Sequence, residues 1–230
     1  AIGKAAQMNV LIKDAAALES LKGVNAMVID KTGTLTIPNQ NIDFTKADDL
    51  PLEMRESLKP HAEEAMAELQ DMGIEVYMMS GDKDEAARYW AQKAGISHYR
   101  SKVLPQDKEN MVRQLQAEGK RVAMVGDGIN DTQALALADV GIAMGGLGSD
   151  AAIEAADVVL MDDKPSKIAV AIRQARRTLR IARENTWFAV GIKIAVLILA
   201  FFGLATMWMA VFADVGVTVL AVLNAARTLK

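Results

Sequence analysis

The feature that most constrains the fold of this sequence is an almost uncharged stretch near its C-terminal end, residues 186–226. It consists of two apolar segments of about 20 residues, TWFAVGIKIAVLILAFFGLA (Thr186 to Ala205) and MWMAVFADVGVTVLAVLNAA (Met207 to Ala226). A helix of that length extends about 30 Å, which is the thickness of the hydrocarbon core of a bilayer. The two segments therefore predict a transmembrane helical hairpin in contact with membrane lipid, with a buried soluble hairpin as the alternative.

The charges on either side of this hairpin predict its orientation. The basic stretch RQARRTLRIAR (Arg173 to Arg183) precedes it, and RTLK (Arg227 to Lys230) follows it. Because loops rich in lysine and arginine stay on the cytoplasmic side of a membrane, both ends should be cytoplasmic and the turn outside. The sequence thus predicts a multi-pass protein of the cell membrane whose preceding domain lies in the cytoplasm.

Each apolar segment contains one formally charged residue, Lys193 in the first and Asp214 in the second. A charge within a bilayer is costly, so ionisable residues in such segments mark functional sites. The midpoint between the two positions falls between Gly203 and Leu204, where the chain has to turn. The two side chains should therefore lie at similar depth, where they could pair or face a third group. A purely structural ion pair is the alternative.

The first 165 residues alternate short apolar runs with segments of helical periodicity. NAMVID (Asn25 to Asp30), IEVYMMSGD and RVAMVGDGIND end in polar loops, and KPHAEEAMAELQDMG (Lys59 to Gly73) has apolar residues at helical spacing. This alternation predicts a doubly wound parallel α/β sheet with right-handed crossovers. Residues 1–22 are predicted to be a helical lead-in to that sheet.

Composition excludes several kinds of protein. The net charge of −3 gives no support for nucleic-acid binding. The absence of cysteine excludes disulfides and thiolate metal ligands, and it fits a reducing compartment. No signal peptide is visible, and because the chain does not begin with methionine we expect it to start inside a longer protein.

Three of the predicted strands end in loops rich in carboxylates, at Asp30, at Ser80-Gly81-Asp82 and at residues 126–131. Ligands of doubly wound sheets bind at the carboxyl ends of the strands, so these loops could meet at one edge. Carboxylates gathered there repel each other unless a cation is present. The oxygens of Asp30 and Asp127 suit Mg²⁺, which in turn holds phosphate oxygens. Asp30 could then attack a phosphorus atom and form an aspartyl phosphate.

Glycines and a lysine complete this predicted phosphate site. Lys108, in LPQDK, could balance the phosphoryl charge. Taken singly, Lys108 is typical of a solvated surface, Asp82 of a helix N-cap and GDG of a turn, whereas the whole string DKTGTLT (Asp30 to Thr36) has no such structural explanation. Glycines that would let the backbone approach a phosphate stand at positions 33, 81, 126 and 128.

The chain resembles the P-type cation-transporting ATPases, whose phosphorylation domain has a haloacid dehalogenase-like fold. Their motifs stand here in order as DKTGTLT, SGD (where relatives often carry TGD) and GDGIND, and LPQDK matches a fourth. The resemblance implies that Asp30 is phosphorylated and that the Thr32 backbone carbonyl and Asp127 join it around Mg²⁺. The residues that it implies around the phosphoryl group are Thr32, Gly33, Ser80, Gly81, Lys108 and Asn130, with Asp131 behind them.

The hairpin narrows the resemblance to the zinc, cadmium and lead branch of these pumps. This narrower resemblance rests on the segments GIKIAVLIL and VFADVGVTVLAVLNAAR. It implies that Asp214 binds the transported Zn²⁺ or Cd²⁺ and that Lys193 is a built-in counter-ion. Lysine is a poor partner for an incoming cation, but it could occupy Asp214 after the ion leaves. In the complete pump ATP is the phosphoryl donor.

Large parts of such a pump are missing from this sequence. Relatives insert a nucleotide-binding domain after DKTGTLT, whereas residues 37–58 form only a short loop, so ATP affinity should be poor. The actuator domain, earlier membrane helices and a cysteine-containing metal motif are also absent from it. We therefore expect a C-terminal part that needs these domains as partners and is inactive as an isolated fragment. Its predicted parts are the lead-in 1–22, the phosphorylation domain 23–165, a basic cytosolic connecting helix 166–185 and two transmembrane helices 186–226.

A second hypothesis is a membrane-anchored, Mg²⁺-dependent phosphatase or phosphate-binding module of the haloacid dehalogenase superfamily. Many phosphatases of that superfamily carry a second aspartate two residues after the nucleophile, as general acid and base, and Thr32 occupies that place here. Losing general base catalysis slows attack by water about 10²–10⁴-fold. Thr32 therefore favours a long-lived phosphoenzyme over a free-standing phosphatase.

Overall fold

The computed structural model describes residues 2–39, 50–146, 149–204 and 206–229. Residues 40–49, which belong to the predicted 37–58 loop, lie outside the described residues. The chain divides into two compact units, residues 2–173 and residues 174–230.

The first unit is built from strands and helices in alternation. Its strands are β1 (Val10–Ile12), β2 (Ala26–Asp30), β3 (Thr36–Pro38), β4 (Glu56–Leu58), β5 (Glu75–Met79), β6 (His98–Arg100), β7 (Val122–Gly126), β8 (Val140–Met144) and β9 (Val158–Leu160). Its helices are α1 (Ile2–Gln7), α2 (Ala15–Gly23), α3 (Leu52–Arg55), α4 (Ala62–Asp71), α5 (Asp84–Lys93), α6 (Pro105–Ala117), α7 (Thr132–Leu137) and α8 (Asp150–Ala155).

Seven of these strands form one sheet in the order β1-β9-β8-β7-β2-β5-β6. All neighbouring pairs are parallel except β1 with β9. The strands β3 and β4 form a separate antiparallel pair. The predicted parallel α/β sheet is therefore confirmed.

Burial explains why the central strands are continuous apolar runs. Residues 26–29 of β2 are fully buried, as are all five residues of β7. A parallel strand covered on both faces has no solvent side, so it shows no alternation of polar and apolar residues. The helix α4 instead buries one stripe, with Ala62, Ala65, Met66 and Leu69 at helical spacing.

The predicted helical lead-in, residues 1–22, contains two helices but is interrupted by a strand that the prediction missed. Between α1 and α2 the chain forms β1, whose Val10 and Ile12 are buried while Leu11 is 42% exposed. This strand pairs antiparallel with β9 and so belongs to the main sheet. Three residues are too few to show the two-residue period of a strand against a helical background.

The second unit consists of two long helices, the first of which begins within the first unit, and a short 3₁₀ turn (Ala226–Leu229). The helix α9 (Ser166–Phe201) runs unbroken from the predicted connecting helix into the first apolar segment, and α10 (Met207–Ala225) contains the second. Both are long and apolar enough to cross a membrane. Contacts between them include two side-chain hydrogen bonds: the Asn224 amide donates to Asn185 Oδ1 at 2.7 Å, and the Asn185 amide donates to the Ala221 carbonyl at 3.0 Å.

Candidate functional site

The acid-rich loops follow three strands that are neighbours in the sheet. Asp30 is the last residue of β2, Ser80 follows β5, and Asp127 follows β7. Since β2 pairs with β5 on one side and with β7 on the other, all three loops leave the same edge of the sheet. The Asp30 loop therefore lies between the other two.

Three carboxylates and one ammonium meet at this edge. One carboxylate oxygen from each of Asp30, Asp127 and Asp131 lies within 4.8 Å of the other two. The Lys108 Nζ donates to Asp30 Oδ1 at 2.7 Å and to Asp131 Oδ1 at 2.6 Å. The side chains of Lys108, Asp30 and Asp131 are 10%, 13% and 2% exposed. Such a set has the oxygen ligands that Mg²⁺ prefers, with a cation already in place for one phosphoryl oxygen.

The electrostatics of the cluster show an excess of negative charge. Burial raises the pKa of Asp30 from 3.8 to about 7, against the attraction of Lys108 and with a further rise from Asp131. Burial and then Asp131 also raise the pKa of Asp127. Burial opposes the charge of Lys108, but Asp30 and Asp131 outweigh it, so the Lys108 pKa is raised. The three carboxylates outnumber Lys108 and Lys59, the two lysines whose charges act on them, and a bound divalent cation fits this deficit.

Glycines let the first and third loops interlock. Gly33 has a φ of +75°, and a Cβ built on it would lie 1.6 Å from Asp127 Oδ2. A Cβ on Gly126 would lie 2.5 Å from Asp131 Oδ2. The two carboxylates therefore occupy the space that side chains at these positions would need. Only glycine is compatible with both the left-handed backbone at position 33 and this close approach.

Replacing Gly33 with alanine should disrupt the acid cluster. We expect Gly33→Ala to weaken Mg²⁺ binding by at least tenfold, because Asp127 has to move away from Asp30, measured by isothermal calorimetry on the full chain. Gly119→Ala is the matched control: its φ is +82°, and no atom lies within 4 Å of the added Cβ. That variant should lose about 1 kcal/mol of stability and keep its Mg²⁺ affinity. Equal loss of affinity in both variants would contradict the steric explanation.

The second loop is held by contacts that the sequence does not reveal. Ser80 is 1% exposed, and its Oγ accepts from the Asp82 N–H at 3.2 Å. The simple interpretation of Asp82 as a helix N-cap is wrong, since Lys83 is the N-cap of α5 and Asp82 lies 2.5 Å from Lys31 Nζ. Gly81 is exposed at the rim of the cleft.

Two further predicted residues lie at the surface of the same edge. Thr32 is exposed, two residues after Asp30, and Asn130 is exposed in a short 3₁₀ turn (Ile129–Asp131). The Thr32 side chain carries a hydroxyl where a superfamily phosphatase would carry a carboxylate. The Gly128 N–H donates to Asp131 Oδ2 at 3.3 Å. The structure thus brings the predicted residues of all four motifs to one edge of the sheet.

Sequence reasoning missed three charged residues beside this cluster. The Lys31 ammonium is 2.5 Å from Glu56 at the start of β4, and Glu56 also accepts from the Thr36 hydroxyl at 2.8 Å. Lys59 is 4% exposed, and its Nζ has no hydrogen-bond partner among the described residues. Burial lowers the Lys59 pKa, although Asp163 and Asp127 oppose that shift. No local pattern marks these residues, because their partners come from distant parts of the chain.

A second, separate site lies between the two apolar helices. The Lys193 Nζ is 3.5 Å from Asp214 Oδ1, so the two predicted charges do meet. They line a cavity of about 490 Å³ whose other walls are aliphatic side chains and Met207. In this cavity the Asp214 carboxylate could bind a cation, and the Lys193 ammonium could pair with the same carboxylate.

Comparison with known proteins agrees with this geometry. Two family models, both described as haloacid dehalogenase-like hydrolase, match residues 43–139 and 107–172. In the search of solved structures the chain matches a zinc-transporting PIB-type ATPase in its E2·Pi state. The TM-score is 0.87 at 27% identity, over 100% of this chain and 54% of that one. The predicted haloacid dehalogenase-like fold class is confirmed.

Curated relatives are similar over most of the chain. The cadmium, zinc and cobalt-transporting ATPase of Bacillus subtilis (strain 168) is 51% identical over 179 residues, covering 76% of this chain and 26% of that protein. The zinc-transporting ATPase of Synechocystis sp. is 51% identical over 178 residues, covering 76% of this chain and 25% of that protein. This chain therefore spans about a quarter of the length of these curated relatives.

Proposed function

We propose that the chain belongs to the heavy-metal-transporting P-type ATPases, to which its curated relatives belong. It would supply the phosphorylation domain (residues 23–165) and the last membrane hairpin (residues 186–226) of an ATP-driven export pump for Zn²⁺, Cd²⁺ or Pb²⁺. The observation that carries this proposal is the setting of Asp30, whose carboxylate lies 2.7 Å from Lys108 and beside two further acids. The nucleotide-binding and actuator domains and the other membrane helices would come from the rest of such a pump.

Asp30 is the nucleophile in this proposal. A carboxylate oxygen of Asp30 forms a bond to the terminal phosphorus of ATP, while the bond from that phosphorus to the ADP oxygen breaks and ADP leaves. Mg²⁺, held by Asp30, Asp127 and the Thr32 carbonyl, would supply charge neutralisation for the phosphoryl oxygens.

The neighbouring loops hold the transferred group. Lys108 faces one side of Asp30 and neutralises phosphoryl charge. Ser80 and Gly81 border the other side, on the loop after β5, and offer the Ser80 hydroxyl and the Gly81 backbone N–H. Asp131 fixes the Lys108 ammonium at 2.6 Å and so keeps it pointed at the site.

The phosphoenzyme formed in this way should persist. General base catalysis of its hydrolysis needs a proton acceptor beside the attacking water, and the Thr32 hydroxyl is not one. An intermediate that outlives the chemical step can drive a conformational cycle. This property distinguishes a pump from a phosphatase built on the same fold.

The two functions can be separated by turnover. We expect the full chain to bind beryllofluoride with Mg²⁺ at Asp30, as a mimic of the acyl phosphate, and to hydrolyse p-nitrophenyl phosphate very slowly. Brisk hydrolysis that Asp30→Asn abolishes would instead favour the phosphatase. Absence of the beryllofluoride adduct would overturn both functions.

The hairpin would bind the transported ion. The Asp214 carboxylate is the candidate ligand, and Lys193, 3.5 Å away, is the candidate counter-ion. In a bilayer an unpaired carboxylate is costly, so the Lys193 ammonium stabilises Asp214 once the ion has left. The lysine would thereby favour release over retention.

Removing this ammonium should slow release of the ion. We expect Lys193→Ala to release Zn²⁺ about tenfold more slowly than the unmodified chain, measured by stopped-flow transfer to a chelator from the full chain in nanodiscs. Asp214→Asn should abolish the signal, and Lys164→Ala, an exposed lysine outside the hairpin, should not change it. Release from Lys193→Ala at the rate of the unmodified chain would contradict the counter-ion role.

A further inference from the structure

Four arginines at the base of the hairpin form a cluster that the pump chemistry does not use. Arg177, Arg180 and Arg183 lie on α9 immediately before the first apolar segment, and their spacing of three places them along one face. The end of α10 adds Arg227, whose carbonyl accepts from Arg177 Nη2 at 3.1 Å. The two helices therefore bring positive charge to the same end of the hairpin.

Most of this charge is not neutralised within the protein. Arg180 and Arg183 are exposed, and no described residue forms an ion pair or hydrogen bond with either guanidinium. Arg227 has a carboxylate partner in Glu184, but the distance is 4.0 Å and both side chains are more than half exposed. Unpaired guanidinium groups present planar pairs of donors, which match the oxygens of a phosphate.

The cluster lies where lipid headgroups would be. Trp187 follows Arg183 by one helical turn and is 70% exposed, and tryptophan is enriched at the boundary between headgroups and acyl chains. Beyond Trp187 most of the exposed side chains are apolar, among them Phe188, Val190 and Ile194, with Lys193 as the charged exception. A ligand at the arginines thus has a hydrocarbon surface directly beside it.

We propose that Arg177, Arg180, Arg183 and Arg227 bind the phosphate of an anionic phospholipid headgroup, whose acyl chains lie against the apolar surface beyond Trp187. The inference rests on the proposed membrane hairpin but not on the chemistry at Asp30. A soluble phosphate offers the same oxygens without acyl chains, so the adjoining apolar surface favours the lipid. One lipid held by arginines from both helices would also tie together the two ends of the hairpin.

The test titrates the full chain, solubilised in a non-ionic detergent, with phosphatidylglycerol or phosphatidylcholine and counts bound lipid by native mass spectrometry. We expect phosphatidylglycerol to bind in preference to phosphatidylcholine. The double variant Arg180→Gln, Arg183→Gln should bind phosphatidylglycerol about 25-fold more weakly, roughly fivefold for each arginine. The double variant Arg88→Gln, Arg113→Gln removes two exposed arginines from the other unit and should bind as the unmodified chain does.

Four further results support or overturn lipid binding by these arginines. Equal affinity of the unmodified chain and the Arg180→Gln, Arg183→Gln variant would overturn it, as would equal binding of the two lipids. Displacement of phosphatidylglycerol by millimolar inorganic phosphate would assign the arginines to a soluble anion instead. Arg180→Lys, Arg183→Lys keeps the charge and should recover only part of the affinity, because lysine lacks the paired donors. The beryllofluoride adduct at Asp30 should be unchanged in all variants, so failure here is distinguishable from failure of the proposed pump function.

Discussion

Asp30→Asn is expected to abolish the covalent chemistry of the chain. The amide keeps the size of the carboxylate and can still accept a hydrogen bond from Lys108, but its oxygen is not an effective nucleophile toward phosphorus. We expect no beryllofluoride adduct in the variant under conditions that saturate the unmodified chain, measured by ¹⁹F NMR with Mg²⁺ present. The loss should be complete, since the adduct forms on the carboxylate that this variant removes.

The matched control for this prediction is Asp82→Asn. Asp82 follows the neighbouring strand and forms an ion pair with Lys31, but it is not one of the acids that meet at Asp30. Its amide variant should keep the adduct. An adduct that survives Asp30→Asn, or one that is lost equally in Asp82→Asn, would refute the assignment of the nucleophile.

Lys108→Met is expected to destabilise the fold strongly. Lys108 donates to both Asp30 and Asp131, so the variant leaves buried carboxylates without their hydrogen-bonded cation. Removing one partner of a buried ion pair costs about 3–5 kcal/mol. We expect a decrease of that size at pH 8 in the free energy of unfolding of the full chain in detergent, followed by urea titration without Mg²⁺.

The pH dependence of this effect follows from the Asp30 pKa. The folded-state pKa of about 7 is above the ordinary value of 3.8, so the unfolded chain loses this proton first. The metal-free fold therefore loses stability as pH rises from about 4 to 7, and the penalty is complete above pH 7. Lys108 opposes the rise in this pKa, so its removal extends the loss to higher pH. The variant should thus be closer to the unmodified chain at pH 5 than at pH 8.

Lys120→Met serves as the control for a lost surface ion pair. Lys120 contacts Glu75, which is half exposed, and such pairs contribute about 0–1 kcal/mol. A Lys108→Met variant that is destabilised no more than Lys120→Met would show that the acid cluster does not depend on its lysine. A destabilisation independent of pH would argue that lost packing, not charge, is the cause.

The acidic site could be predicted because its parts follow a simple rule of parallel sheets. Asp30, Ser80 and Asp127 each come directly after an apolar run, and parallel strands end at one edge. The hairpin could be predicted for a similar reason, since one charge in each apolar segment stands out against its surroundings. In both cases the sequence signal is local, and the regular geometry of strands and helices determines which of the marked residues come together.

The parts that could not be predicted depend on contacts between distant residues. The strands β1 and β6 are three residues long, too short for a periodic pattern, and they exist because longer neighbours pair with them. Glu56 is adjacent to Lys31 only after β4 pairs with β3. The change of composition at residue 186 suggested separate helices, but helical hydrogen bonding continues through α9 regardless of which solvent surrounds it.

The place of β2 in the middle of the sheet has a consequence for how Asp30, the proposed nucleophile, can move. Its backbone is hydrogen-bonded to β5 on one side and to β7 on the other, and the side chains of residues 26–29 are fully buried. Fraying begins at edges and chain ends, so Asp30 cannot be displaced by a partial opening that leaves the remainder intact. If Asp30 is the nucleophile that we propose, its carboxylate should stay fixed in position while phosphate and metal bind and leave around it.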